Sequence, residues 1–276
     1  MILYDQHLHS WHSADSHADP NDNCRVAVEL GLGGITFTDH FDVHPSEWDT
    51  CNYDYDRIRE MIDRLRTTYG DRLFVGLGIE VCYQPRQMDF ILDYLSRHTF
   101  DMVTLSVHFF GDRALHEPEQ WTGFDIAGAS RAYFDTVLEA VRFCRSLTEE
   151  RGERVFDVLG HLDLVKRYTQ RYFSDYDVAS HRDAIDEILR TCLEARLTPE
   201  VNTSSWRQEL PEPMPAAWVV DRFAALGGSA MTLGSDAHRS ADIGAGLPEA
   251  ADILRSAGIS HMPVFRKRQI DLIPVD

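Results

Sequence analysis

Short apolar runs alternate with stretches of helical period along the whole chain, and this alternation restricts the fold more than any other feature of the sequence. Ile35-Thr36-Phe37-Thr38, Leu73 to Ile79, Met102 to Val107, Val155 to Leu159, Thr198 to Val201 and Met231 to Leu233 read as buried strands. Between them, apolar residues repeat at i, i+3, i+4 and i+7. Examples are Ile58, Met61, Ile62 and Leu65; Phe134, Val137, Leu138 and Val141; and Ile185, Ile188, Leu189 and Cys192. Continuous apolar strands separated by amphipathic helices imply a parallel sheet covered on its outer face. Counting the opening ILYDQHL and the closing MPVFRKRQIDLIPV as strands gives seven or eight βα units, close to a barrel. An open doubly wound sheet is the alternative. No Gly/Ser-rich or charge-rich linker interrupts residues 1–276, so one domain is expected. The long irregular stretches His40 to Tyr53, Gly111 to Gly128 and Asn202 to Pro215 each follow a strand. In a parallel barrel such loops wall the catalytic face.

The 27 Lys and Arg against 45 Asp and Glu leave a formal charge of -18. A surface that acidic repels phosphate backbones, so nucleic acid is not an expected partner. No apolar run is long enough to span a bilayer, so a membrane is not expected either. The start MILYDQHLHS carries no basic and apolar leader pattern, and the five scattered cysteines form no CxxC motif or disulfide framework. Both features lead to the expectation of a cytoplasmic protein whose cysteines fill the core.

The 13 histidines are unusual in where they fall. His7 and His9 end the first strand at i, i+2, a spacing that points both rings to one face. Asp15 follows in the loop. His40, in Asp39-His40, ends the second strand, Glu80 the third, His108 the fourth and His161 the fifth. Asp236 and His238, again i, i+2, end the strand Met231 to Gly234. A lone buried histidine is usually a hydrogen-bonded core residue. Nine ligand-competent residues at the ends of six strands instead imply a multinuclear metal site, because charged groups rarely enter a barrel mouth unpaired. Imidazole and carboxylate without thiolate suit Zn, Mn or Fe. His12, His17, His44, His98, His181 and His261 fall outside this pattern, the last three on or near helices, whereas His116 could line the pocket.

The segments HLHSWHSADS, GITFTDH, GIEVCY, SVHF, VLGHLDLVKRY, EVNTSSWR and LGSDAHR, in order from residue 7 to residue 239, resemble the motifs of the polymerase-and-histidinol-phosphatase (PHP) superfamily. GHLDLVKRY, EVNTSSWRQELPEPMP and GSDAHRSADIG are most similar to its histidinol-phosphate phosphatases. The resemblance implies a distorted (β/α)7 TIM-like barrel with two or three divalent metals in its mouth. It implies one metal position at His7, His9, Glu80 and Asp236, a second sharing Glu80 with His108 and His161, and a third at Asp15, His40 and His238. The family's reaction would be attack of a metal-bridging hydroxide on phosphorus, with Glu80, Asp236 and His238 as the catalytic candidates.

A phosphate monoester dianion needs local cations that the acidic chain does not supply globally. Arg167 and Arg207 are the favoured clamps, with Lys166 and Arg239 behind them. Glu117, Trp121 and Trp206 could meet the amine and imidazole of histidinol phosphate. The expected activity is therefore hydrolysis of L-histidinol phosphate in histidine biosynthesis, and the alternative is a PHP phosphoesterase acting on nucleotides or other small monoesters. Hydrolysis of an amide or lactone on a carbamylated lysine is disfavoured, since no lysine ends a strand. A domain that keeps metals only structurally would be expected to have lost ligands.

Overall fold

The computed structural model describes residues 1–46, 53–208 and 210–275. Seven parallel strands, β1 (Tyr4–Leu8), β2 (Gly34–Phe37), β3 (Phe74–Cys82), β4 (Met102–Ser106), β5 (Val158–Leu159), β6 (Thr198–Asn202) and β7 (Thr232–Gly234), hydrogen-bond in chain order. The ring closes where the Asp236 N–H donates to the His7 carbonyl at 2.7 Å and the His9 N–H donates to the Ala237 carbonyl at 2.9 Å. The result is a nearly closed (β/α)7 barrel, not an open sheet. The strands are buried on both faces, which is why they read as unbroken apolar runs: in β3 every residue after Phe74 is buried.

Helices α1 (Pro20–Glu29), α2 (Tyr55–Tyr69), α3 (Met88–Arg97), α4 (Ile126–Arg151), α5 (Val165–Phe173), α6 (Arg182–Ala195), α7 (Ala217–Ala225) and α8 (Leu247–Ser256) wrap the barrel. The apolar stripes read from the sequence face inward: Ile58, Met61, Ile62 and Leu65 on α2 are buried, as are Ile185, Ile188, Leu189 and Cys192 on α6. Side-chain caps start α1, α2 and α4, where Asp19, Asp54 and Asp125 accept from free N–H groups of the first turn. Four cysteines, Cys24, Cys82, Cys144 and Cys192, are buried and unpaired. Cys51 and part of the loop expected from His40 to Tyr53 lie outside the described residues.

The closing segment departs from expectation. It is not another βα unit but an antiparallel hairpin, β8 (His261–Arg266) with β9 (Gln269–Pro274), outside the parallel ring. His261 accordingly opens a strand. Lys267 and Arg268 take the turn with positive φ (49° and 66°), where glycine or asparagine is usual, so the turn gave little sequence signal. The hairpin packs under the barrel. Phe265 is fully buried against Met102 and Val158. The Gln6 amide donates to the Pro263 carbonyl at 2.7 Å and accepts from the Phe265 N–H at 3.3 Å. The Lys267 N–H donates to Asp101 Oδ1 at 2.8 Å, and the Arg268 side chain pairs with buried Asp157. The end of the barrel opposite the loops is thereby sealed.

Candidate metal centre

At the other end, strand termini and the residues just beyond them bring nine polar side chains to one place. Glu80, fully buried near the end of β3, is the hub. Its Oε1 lies 2.8 Å from His161 Nε2 and 3.3 Å from the Nε2 atoms of His7 and His108. Its Oε2 lies 2.9 Å from His40 Nδ1 and 3.6 Å from His9 Nε2. Asp236 Oδ1 lies 3.3 Å from His9 Nε2 and 3.9 Å from His7 Nε2. Asp15, out at the rim, reaches His238 Nε2 at 3.1 Å and His40 Nε2 at 3.5 Å. All nine residues expected from the sequence thus converge.

The backbone strains to present two of them. His161 (φ 20°) and Asp236 (φ 53°) sit in or at the edge of the left-handed region, a conformation that persists at a non-glycine residue only when its surroundings enforce it. Room is made as well: a Cβ on Gly234 would lie 2.2 Å from Glu200 Oε1 and 2.4 Å from His7 Cβ, so only glycine lets those two side chains meet.

A second layer fixes the rings. His7 Nδ1 is 2.8 Å from Glu200 Oε1, and His108 Nδ1 is 2.9 Å from Asp42 Oδ2. His9 Nδ1 is 3.1 Å from Ser13 Oγ, whose hydroxyl donates to Asp39 Oδ1 at 2.7 Å. These contacts leave the Nε2 atoms of His7, His9 and His108 directed at the centre. Glu200 and Asp42 were missed in the sequence. The available signal was a carboxylate inside an otherwise apolar strand, at Glu200, and one two residues past a predicted ligand, at Asp42. Asp42→Asn should leave the fold intact but weaken metal binding about 10- to 100-fold in a competition titration with a chromophoric chelator. Unchanged affinity would show that the Asp42 contact does not support the centre.

The donor set fits divalent metal. His7 Nε2, His9 Nε2, His40 Nδ1 and Glu80 Oε2 are buried without a hydrogen-bond partner. Each unmet group of this kind costs about 1–3 kcal/mol in a protein interior, and a cation bound among them would satisfy them together. Among the described residues, four groupings of oxygen and nitrogen donors, His7-His9-Asp236, His7-Glu80-His161, His40-Glu80-His108 and His9-His40-His238, have ligand atoms within 4.8 Å of one another.

Electrostatics agree. Burial alone would raise the Glu80 pKa, but His7, His108 and His40 outweigh it and hold the carboxyl well below its usual range. Burial would likewise raise Asp236, which the close approach of His9 and the charges of His7, His238 and Arg167 hold well below normal. Burial lowers the imidazoles. At His7 the charges of Glu200 and Glu80 override it, at His40 those of Glu80 and Asp15, and at His108 those of Asp42 and Glu80, so all three stand well above the ordinary value. His9, buried beside His238 and His40, falls to about 4. A metal bound by these residues near neutral pH would therefore displace protons from His7, His40 and His108. Calorimetric titrations with Zn in two buffers of different ionisation enthalpy should give different heats; equal heats would contradict the proton release.

Seven of the nine residues, Asp15, His40, Glu80, His108, His161, Asp236 and His238, line a cavity of about 420 Å³ whose outer wall includes Phe109, His116, Leu164, Arg167 and Tyr168. Of the four cations expected at substrate, Arg167 lines it. Its Nη2 donates to Ser204 Oγ at 2.5 Å and lies 3.5 Å from Asp236 Oδ2, and its buried Nε has no partner. The other three do not line it. Lys166 is fully buried, its ammonium 2.9 Å from Asp163 Oδ2 and 3.3 Å from Glu212 Oε1, so it anchors the Pro-rich loop instead of meeting substrate. Arg207 donates to the main-chain carbonyls of Ser235 (2.6 Å) and Asp236 (3.4 Å), underneath the Asp236 carboxylate's segment. Arg239 points to solvent. Among the loop residues, Trp121 stacks on Tyr168 and Tyr172 behind the wall, Glu117 accepts from the Ala114 N–H, and Trp206 packs over Gly246. The aromatic surfaces at the cavity are therefore Phe109 and Tyr168, and His116, which the sequence left as one residue that could line it, is on its wall.

The structural role of Lys166 is testable. Lys166→Met should cost about 3–5 kcal/mol of stability, since it strands buried Asp163 without its partner. Urea unfolding measures the loss, and kcat per folded molecule should be retained. Undiminished stability with a collapsed kcat would return Lys166 to the substrate site.

Residues 5–204 match the PHP domain family. A histidinol-phosphatase of Lactococcus lactis is 27% identical over 98% of this chain and 97% of its own. A Deinococcus radiodurans protein named probable histidinol-phosphatase is 28% identical over 97% of this chain and 98% of its own. A solved structure of the Lactococcus lactis histidinol phosphate phosphatase, complexed with Zn, L-histidinol and phosphate, aligns with a TM-score of 0.82 at 25% identity, covering 98% of both chains. With its seven-stranded parallel barrel and strand-end histidines and carboxylates, the chain belongs to the PHP domain family.

Proposed function

We propose that this protein is a metal-dependent phosphatase that hydrolyses L-histidinol phosphate to L-histidinol and phosphate. The observation that carries this reading is the full-length match to the Lactococcus lactis enzyme complexed with Zn, L-histidinol and phosphate, joined to a donor set here that fits divalent metal. Two or three ions of the Zn, Mn or Fe type would be held by His7, His9, Glu80 and Asp236; by Glu80, His108 and His161; and by Asp15, His40 and His238. When bound, such ions supply Lewis-acid charge and bring the pKa of water from about 16 toward 7. The chain's own contribution is positioning. Glu80 and Asp236, kept ionised by surrounding histidines, hold negative charge where cations gather. Arg167, with an unpaired Nε on the cavity wall, offers its planar fork to the phosphate oxygens. His238 stands with Asp15 at the rim, 3.1 Å apart, closing the ring of ligands on the side from which substrate enters. Phe109 and Tyr168 give the organic end of the substrate flat apolar surface.

Phosphate release by Mn- or Zn-loaded protein tests this, with L-histidinol phosphate set beside mononucleotides and p-nitrophenyl phosphate. A kcat/KM for histidinol phosphate above about 10⁴ M⁻¹s⁻¹ and well clear of the others is expected. A flat, weak profile would overturn the substrate and leave a general phosphoesterase.

A further inference from the structure

Beside the catalytic cavity lies a second one, of about 410 Å³, and the two share Phe109 as a wall. Gln84, which lines the second cavity, is 5% exposed, yet neither Nε2 nor Oε1 of its amide has a hydrogen-bond partner. The local backbone does not account for this: Gln84 precedes the short turn Pro85–Gln87 but its side chain caps nothing. A buried amide with both ends unmet is costly unless something else meets it.

The surroundings define what could. Tyr83, Phe109 and Phe110 are buried aromatic surfaces on the wall, and the His44 ring lies 4.5 Å from that of Phe109. Of the charges, Arg86 is paired with Asp112 at 3.1 Å, which leaves Glu139, accepting from the Tyr83 hydroxyl at 3.1 Å, as the net negative group. A phosphate dianion is disfavoured there. A flat ring with polar nitrogens, carrying an ammonium, is suited: the ring against the aromatic walls, a ring nitrogen on Gln84, the ammonium toward Glu139.

We propose that this second cavity binds a small heteroaromatic amine, and that its ligand is L-histidinol, the dephosphorylated product. The choice of ligand rests on the function proposed above. An imidazole presents one N–H and one bare nitrogen, and the Gln84 amide can answer either by turning its oxygen or its nitrogen inward. Occupancy against the shared Phe109 wall would let product act on turnover without competing for the metals.

Calorimetric titration of the metal-loaded protein with L-histidinol tests the proposal. Two sites per chain are expected in the wild type and one in Gln84→Leu, with the second site at least about tenfold weaker. Glu139→Gln, at an exposed position, should weaken that same site about three- to tenfold and carries the test if the Gln84 variant does not fold. The kcat for p-nitrophenyl phosphate should stay within about twofold in both variants. One site in the wild type and one in Gln84→Leu overturns the second cavity, as do two sites unchanged by either variant. One site in the wild type and none in Gln84→Leu supports the second cavity while overturning L-histidinol as the product of the catalytic one.

Discussion

Glu80→Gln is expected to strip metal from the protein and to lower kcat by about 10³-fold or more. The reason is that one buried carboxylate lies within 3.6 Å of five imidazoles, His7, His9, His40, His108 and His161. Glutamine keeps the volume and can still accept from the Ser106 hydroxyl, which stands 2.6 Å from Oε1. What it removes is a full negative charge and one oxygen acceptor, so two metal positions would lose their common ligand. Several kcal/mol of transition-state stabilisation attributed to bound metal corresponds to about three powers of ten in rate. Elemental analysis of the purified variant and phosphate release measure the two effects. Full metal content with full activity would remove Glu80 from the centre.

The second large effect is expected at Arg167. Truncation to alanine should lower kcat and kcat/KM together by about 10²- to 10³-fold, as for a donor that acts mainly in the transition state. Lysine should restore only part, since it lacks the planar fork. The comparison with Arg207 sharpens the test. Arg207 is bonded to the carbonyls of Ser235 and Asp236, so Arg207→Ala should show itself in lost metal, through a loosened Asp236, before it shows itself in phosphate affinity. A raised KM with unchanged kcat in Arg167→Ala would mean that the residue binds substrate uniformly and does not favour the transition state.

The barrel and the nine converging residues were readable because both depend on local pattern. Strands buried on two faces write themselves as apolar runs, and histidines two apart at a strand end must share a face. What could not be read depends on partners distant in sequence. Lys166 looked like a cation beside a predicted site, but Glu212 and Pro213, which bury it, come 46 and 47 residues later. Glu200 gave no sign that His7, 193 residues earlier, would lean on it. Trp121 and Trp206 were named for their chemistry alone, and packing assigned Tyr168 to the cavity instead. The last strands were misread for a different reason. A Lys-Arg turn at positive φ carries none of the usual turn residues, so an antiparallel hairpin passed for one more unit of the ring.

That hairpin has a kinetic consequence. With Phe265 and the Arg268–Asp157 pair closing the far end, the catalytic chamber is a blind alley, and whatever enters by the loops must leave by them. The fragment lodged deepest, the inorganic anion among the histidines, then waits behind the alcohol. Departure should follow that order, the alcohol first and the anion last, and added phosphate should accordingly compete with fresh substrate for the emptied chamber.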